Sequence, residues 1–162
     1  MASHTRRYPL PKNQRLSAEQ YAALGSVGFF TIRAFERHVP FVTEELNEAI
    51  VATLLAERLR AGIDVYVYCL MPDHLHMLIG PRQDGRSMLT FVDQFKGKST
   101  RASWAHGWQG RLWQPRCYDH LVRRSEDLVA IAKYVLGNPV RKGLAETSGD
   151  YRWGALLDPL PW

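Results

Sequence analysis

From Val65 to Met71 the chain is a continuous apolar run, and the segment after it alternates, with Leu75, Met77 and Ile79 at one parity and His74, His76 and Leu78 at the other. Side chains two apart on a strand project from the same face. The pattern predicts two strands, Asp64 to Met71 and His74 to Gly80, joined at Pro72-Asp73 into an antiparallel hairpin. Burying Leu75, Met77 and Ile79 leaves the two histidines together on the opposite side, and a one-residue slip in register destroys that arrangement. Upstream, Val27 to Phe35 reads as a first strand and His38-Val-Pro40 as punctuation. Thr43 is a good N-cap, Glu44 and Glu45 suit a first helical turn, Leu46, Ala49, Ile50, Thr53 and Leu54 keep helical spacing, and Gly62 closes the segment, so a helix is predicted over Glu44 to Ala61.

Downstream, Ser87 caps a second predicted helix in which Leu89, Val92, Phe95, Ser99 and Ala102 face the core and Lys96, Lys98 and Arg101 stay outside. A fourth strand is expected within Trp113 to Val122. Ser125 then caps a third helix with Glu126 and Asp127 in its first turn, a buried stripe of Leu128, Ile131, Ala132 and Val135, and Tyr134 at the stripe's edge. The order strand, helix, strand, strand, helix, strand, helix suggests an α+β fold of ferredoxin-like kind, a mostly antiparallel sheet with helices packed on it.

The length of 162 residues, 46% hydrophobic and 23% charged content suit one soluble globular domain, expected over residues 25–162, with no internal repeat. Residues 1–24 carry Arg6, Arg7, Lys12 and Arg15 among Pro9, Pro11 and Asn13 and read as a basic, partly extended arm. No apolar stretch approaches the roughly 20 residues that cross a bilayer, and the N-terminus lacks the apolar core of a signal peptide, so no membrane is involved and a cytoplasmic protein is expected. Cys69 and Cys117 form neither a disulfide framework nor a zinc-ligand spacing. The net charge of +5 favours a polyanionic partner, and the basic residues gather mostly downstream of the histidine pair; solvated helix faces are the competing explanation for any one cluster.

Candidate chemistry centres on His74 and His76 and on Tyr134, followed four positions later by Asn138. Two neutral imidazoles and an amide carbonyl make a mixed nitrogen and oxygen donor set that suits Mn²⁺ or Mg²⁺ better than structural Zn²⁺. An ion held there polarises a phosphoryl oxygen and leaves the nucleophile to another residue. A phenol, with an ordinary pKa of about 10, is a feasible nucleophile and afterwards a feasible leaving group, which suits strand exchange. Each residue also has a structural explanation: the histidines as polar strand residues with hydrogen-bond partners, Tyr134 as packing, and Asn138 as a helix C-terminal cap between Gly137 and Pro139. For contacts to a polyanionic partner, Lys96, Arg111, Arg116, Arg123 and Trp108 are the candidates, while Trp104, Trp113 and Trp153 can equally be core.

Met71-Pro-Asp-His-Leu-His-Met-Leu-Ile79, Trp113-Gln114 with Tyr118-Asp-His120, and Tyr134-x-x-x-Asn-Pro-Val140 together resemble the one-tyrosine HUH transposases, and most closely their REP-associated tyrosine transposase branch. The similarity runs from about Phe29 to Trp153. It implies a ferredoxin-like HUH nuclease domain, a Mg²⁺ or Mn²⁺ ion, and cleavage of single-stranded or hairpin DNA at REP-like palindromes with a 5′-phosphotyrosine intermediate and a free 3′-OH. By that resemblance His74 and His76 bind the metal, Asn138 is the third ligand and Tyr134 the nucleophile. Insertion-sequence members commonly carry Gln four residues after the tyrosine, whereas Asn followed by Pro-Val is typical of the REP-associated group. Gly137 departs from the polar or histidine residue expected before Asn138. Both a monomer and a homodimer are compatible with the resemblance. The alternatives are a catalytically silent palindrome-binding protein and a phosphodiesterase that uses water.

Overall fold

The computed structural model describes residues 16–162. Its strands and α-helices are β1 (Gly28–Arg33), α1 (Glu44–Ala61), β2 (Ile63–Met71), β3 (His74–Pro81), α2 (Met88–Trp104), β4 (Tyr118–Leu121), α3 (Leu128–Arg141) and β5 (Gly154–Leu156). The strands form one sheet in the order β4-β1-β3-β2-β5, antiparallel at every neighbouring pair. This is the expected α+β arrangement, with β3 at its centre.

Alternation on β3 divides the molecule into two cores. Leu75, Met77 and Ile79 join Phe30 and Ile32 of β1 and pack against Leu46, Ile50 and Leu54 of α1 and Phe91 and Phe95 of α2. On the other face, Leu78 joins Val67, Cys69 and Met71 of β2 beneath Leu128, Ala132 and Val135 of α3. Because β2 and β3 are covered on both faces, their sequences are nearly continuously apolar. A register shift between Val65 and Val67 puts both Tyr66 and Val67 on the α3 side. Beyond it Cys69 opposes His76 and Met71 opposes His74.

Helix α1 has the bounds its pattern predicts. Thr43 accepts the Leu46 N–H, and Gly62 ends the helix at φ 67°, where a side chain is disfavoured. Ser87 caps α2 as expected, but Met88, Phe91 and Ser103 are buried there while Leu89 and Ala102 are only half-buried. Lys98 does not stay free outside: with Arg60 it binds the Glu57 carboxylate, which is 2% exposed between α1 and α2.

One expectation and one competing explanation are corrected, and one strand is added. Helix α3 starts two residues late for a Ser125 cap, because Asp127 accepts the Ala130 N–H and so serves as the cap, while Glu126 accepts from the backbone of Arg123 and pairs with His120. The same helix does not stop at Gly137; it runs through Pro139 to Arg141, with Asn138 and Pro139 buried. A fifth strand, absent from the pattern reading, lies beside β2, where Gly154 faces Cys69 closely enough that a Cβ would meet its Sγ at 3.3 Å. Residues 1–15 of the expected arm lie outside the described residues. Residues 16–24 form turns, with Tyr21 buried in the first core, hydrogen bonded to Asp119, and its carbonyl accepting the Met88 N–H at 3.0 Å.

The Glu57 cluster gives a pH signature. The hydrogen bond from Arg60 chiefly, against an opposing push from burial and with help from Lys98, holds the Glu57 carboxyl below the usual carboxylate range. Its stabilisation is present above the unfolded value of about 4.3 and is lost as pH falls through the lower folded value. Glu57→Gln is expected to cost about 1 to 2 kcal/mol at pH 7, discounted because Arg60 is half exposed. Urea unfolding of the two proteins should converge at acid pH; a constant gap between the curves contradicts the assignment.

Candidate active site

The register of β1 against β3 sets Thr31 opposite His76 and Arg33 opposite His74. Both imidazoles are nearly buried, at 8% and 9% exposure, so each ring nitrogen needs a partner. His74 Nδ1 lies 2.6 Å from Asp73 Oδ1 and His76 Nδ1 lies 2.8 Å from Thr31 Oγ1. The two Nε2 atoms stand 3.0 Å apart.

Asp73 can only accept, so in neutral His74 the proton sits on Nδ1 and a lone pair on Nε2. Thr31 can donate or accept, which gives His76 two arrangements. With the proton on Nε2 it donates to His74 and closes the pair on itself. With the proton on Nδ1 it donates to Thr31, and both Nε2 lone pairs then converge on one point. Burial chiefly, then the charges of His74, Arg33 and Arg141, push the His76 pKa down to about 3. Burial also lowers that of His74, against the opposing pull of Asp73. Neutral imidazoles are the form that binds metal.

Helix α3 brings the other half of the site. Tyr134 and Asn138 are one turn apart, and the helix continues past both, so Asn138 is not a terminal cap. The Asn138 amide reaches His74 Nε2 at 3.3 Å through Nδ2, and a half-turn of the amide presents Oδ1 there instead. The Tyr134 ring lies 6.4 Å from that of His76, centroid to centroid, with Tyr134 54% exposed. Phe29 stacks on His76 at 5.5 Å and meets Tyr118 at 6.4 Å, extending an aromatic surface across β1 to β4.

All four residues singled out for chemistry therefore meet, from strand and helix sixty residues apart. The donor set fits a small hard divalent ion. Two donors about 2.1 Å from one ion at right angles stand about 3.0 Å apart, and an amide oxygen is a suitable third. Among the described residues no group of three or more His, Cys, Asp or Glu side chains is arranged to hold a metal.

The five residues expected to contact DNA are spread more widely. Lys96 and Arg111 line a groove with Arg101, Trp104 and Gln114, and Gln114 also borders a second hollow formed with Arg33, Arg37 and Asp73 beside the histidines. Lys96 Nζ donates to the Pro115 carbonyl. Trp108 is half-buried, donating to the Arg111 carbonyl at 3.0 Å and resting edge-on against His38. Arg116 and Arg123 are exposed. Trp113 is core, against Phe41 and Phe95, whereas Trp104 is 53% exposed.

A model of the family described as "Transposase IS200 like" matches residues 31–138, which takes in the histidine pair, Tyr134 and Asn138. The chain belongs to the IS200-like transposase family. It is 25% identical over 142 residues to a candidate REP-associated tyrosine transposase of Haemophilus influenzae, covering 82% of this chain and 80% of that protein. It is 21% identical over 150 residues to the REP-associated tyrosine transposase of Escherichia coli, covering 88% of each. Its fold is similar to that of a REP-associated tyrosine transposase solved bound to a REP hairpin, with a TM-score of 0.69, 20% identity, and coverage of 86% of this chain and 82% of the other. A candidate transposase from Deinococcus radiodurans shares the fold with a TM-score of 0.51, 21% identity, and coverage of 76% and 95%. Among the described residues of this family member, no helix is long and apolar enough to cross a membrane.

Pattern reading missed Thr31, Asp73, Arg33 and Arg141. Asp73 was legible as the neighbour of His74 but reads as a turn residue. Thr31 and Arg33 become visible only through the β1 to β3 register, while Arg141 lies two helical turns after Tyr134, on the same face.

Thr31→Val keeps the shape of the side chain and removes the partner of His76 Nδ1. It is expected to lower stability by about 1 to 2 kcal/mol in chelator-treated protein. Thr31→Ser should stay near wild type, and equal urea midpoints for all three proteins count against the hydrogen bond.

Proposed function

We propose that this transposase cleaves and rejoins single-stranded DNA near REP-like palindromic hairpins through a 5′-phosphotyrosine intermediate. The observation that carries the reading is the convergence of the two histidine Nε2 atoms and the Asn138 amide beside the Tyr134 ring. His74, His76 and Asn138 would hold Mg²⁺ or Mn²⁺. When bound, the ion supplies Lewis-acid polarisation of a phosphoryl oxygen and neutralises charge that develops on it.

The protein's own residues account for the rest. Tyr134 Oη attacks phosphorus, forming the O–P bond as the bond to the 3′-oxygen breaks. The phenolic proton passes to solvent, and the departing 3′-oxygen takes up a proton to become the free 3′-OH. Reversal by an incoming 3′-OH restores the phosphodiester and returns the phenol, so bond energy is kept without a nucleotide cofactor. Asp73 and Thr31 orient the imidazoles, and Phe29 and Tyr118 offer rings on which splayed bases can stack. Lys96, Arg111, Arg116 and Arg123 supply phosphate contacts, with Trp108 supporting the Arg111 segment. Tyr134 sits beside His76 of its own chain, which supports attack within one chain and a protein able to act as a monomer. The cytoplasm, where chromosomal single strands arise, is the compartment that fits this activity.

The test uses hairpin-bearing single strands from the repeats flanking the gene, labelled at either end, with Mn²⁺. The 3′-labelled strand should appear in a denaturation-resistant adduct, the 5′-label should leave with a free 3′-OH, and Tyr134→Phe should abolish both. Cleavage that survives in the mutant means water is the nucleophile; tight binding of the hairpin with no cleavage means a silent binder. Asp73→Asn and Thr31→Val should raise the Mn²⁺ concentration for half-maximal adduct by about 10- to 100-fold. An unchanged metal requirement removes them from the metal's support.

A further inference from the structure

Arg141 lies two turns beyond Tyr134, and its side chain runs back along α3 toward the tyrosine. Its guanidinium carbon is 4.2 Å from the centre of the Tyr134 ring, and Nη2 donates to the Tyr134 carbonyl at 2.6 Å. The route passes over Gly137, where a Cβ would come within 2.9 Å of Arg141 Nη1. Gly137 lies inside the helix and is not among the glycines with positive φ, so its backbone does not require glycine. Glycine is also a poor helix former beside alanine. A Cβ there would meet only the far end of the flexible Arg141 side chain, which can shift to accommodate it.

We propose that Arg141 is a positioning residue for the attacking tyrosine. Tyr134 is 54% exposed, so the sheet alone does not fix its ring. The guanidinium sits over the ring, anchored by its bond to the helix backbone, and holds the phenol on the histidine side. A planar, permanently charged group does this in a way an ammonium cannot, because it stacks and donates at once. The catalytic consequence rests on the strand-transfer reading; the geometry does not.

The experiment compares the full chain with Arg141→Ala, Arg141→Lys and Gly137→Ala. One readout is the set of nuclear Overhauser contacts between the rings of Tyr134 and His76, measured without DNA. The other is single-turnover adduct formation against hairpin DNA concentration. Arg141→Ala is expected to weaken the ring contacts and slow adduct formation at saturating DNA by about 10- to 100-fold. The half-saturating DNA concentration should move less than about twofold. Arg141→Lys, which keeps charge without the planar group, should resemble Arg141→Ala. Gly137→Ala should keep the ring contacts, because only the guanidinium tip must shift, and melting temperatures separate lost rate from lost fold in all three variants. Unchanged ring contacts in Arg141→Ala overturn the proposal. So does a higher half-saturating concentration at an unchanged saturating rate, with a salt slope smaller by about one, which makes Arg141 a phosphate contact. A wild type that forms no adduct defeats the strand-transfer reading, and the ring contacts alone then decide the positioning claim.

Discussion

The burial of β3 on both faces is the constraint on which the rest depends. A central strand must place every side chain in one of two cores, and His74 and His76 fall on the α3 side because Leu75, Met77 and Ile79 take the other. Two imidazoles at such low exposure carry a cost unless each nitrogen is matched. The register with β1 meets that need by placing Thr31 opposite His76, and the turn before β3 meets it by supplying Asp73. The same pairing that satisfies the outer nitrogens aims the inner ones at each other. Structure and chemistry are thus served by one set of hydrogen bonds.

Helix α3 completes the site through packing rather than through propensity. Leu128, Ala132 and Val135 seat it on β2 and β3, and that seating carries the next turn, with Asn138 and Pro139, into contact with the sheet. Gly-Asn-Pro would ordinarily end a helix. Here the burial of Asn138 and Pro139 outweighs the local signal, and the continued helix holds Asn138 one turn from Tyr134. A helix that stopped at Gly137 would leave the amide and the phenol without a fixed relation. Asn138 is buried and faces the histidines from within the core, whereas Tyr134 is exposed to solvent.

Much of this was legible in the chain, and the parts that were not share a cause. The His74 and His76 face followed from a period of two, α1 from its caps and spacing, and the hairpin from an apolar run followed by alternation around Pro72-Asp73. Each signal is complete within about ten to twenty residues. The start of α3 was misplaced because Ser125 and Asp127 are both capable caps, and Glu126 is drawn instead to His120 across a loop. Residues 154–156 are too short and too plain in composition to read as a strand, and β5 exists because the edge of β2 offers it partners.

By itself the sequence determined the three helices and the first four strands, which face of β3 carries the histidines, and that Tyr134 and Asn138 belong to one short segment. Only the tertiary structure decided that this segment stays helical through Pro139, that Thr31 sits opposite His76, and that Arg141 reaches Tyr134 across Gly137. The division has a physical reason. Periodicity and capping are local and are written in neighbouring residues. The site instead depends on a strand register and on a helix seated by its buried stripe, contacts between residues far apart in the chain, which no local pattern encodes.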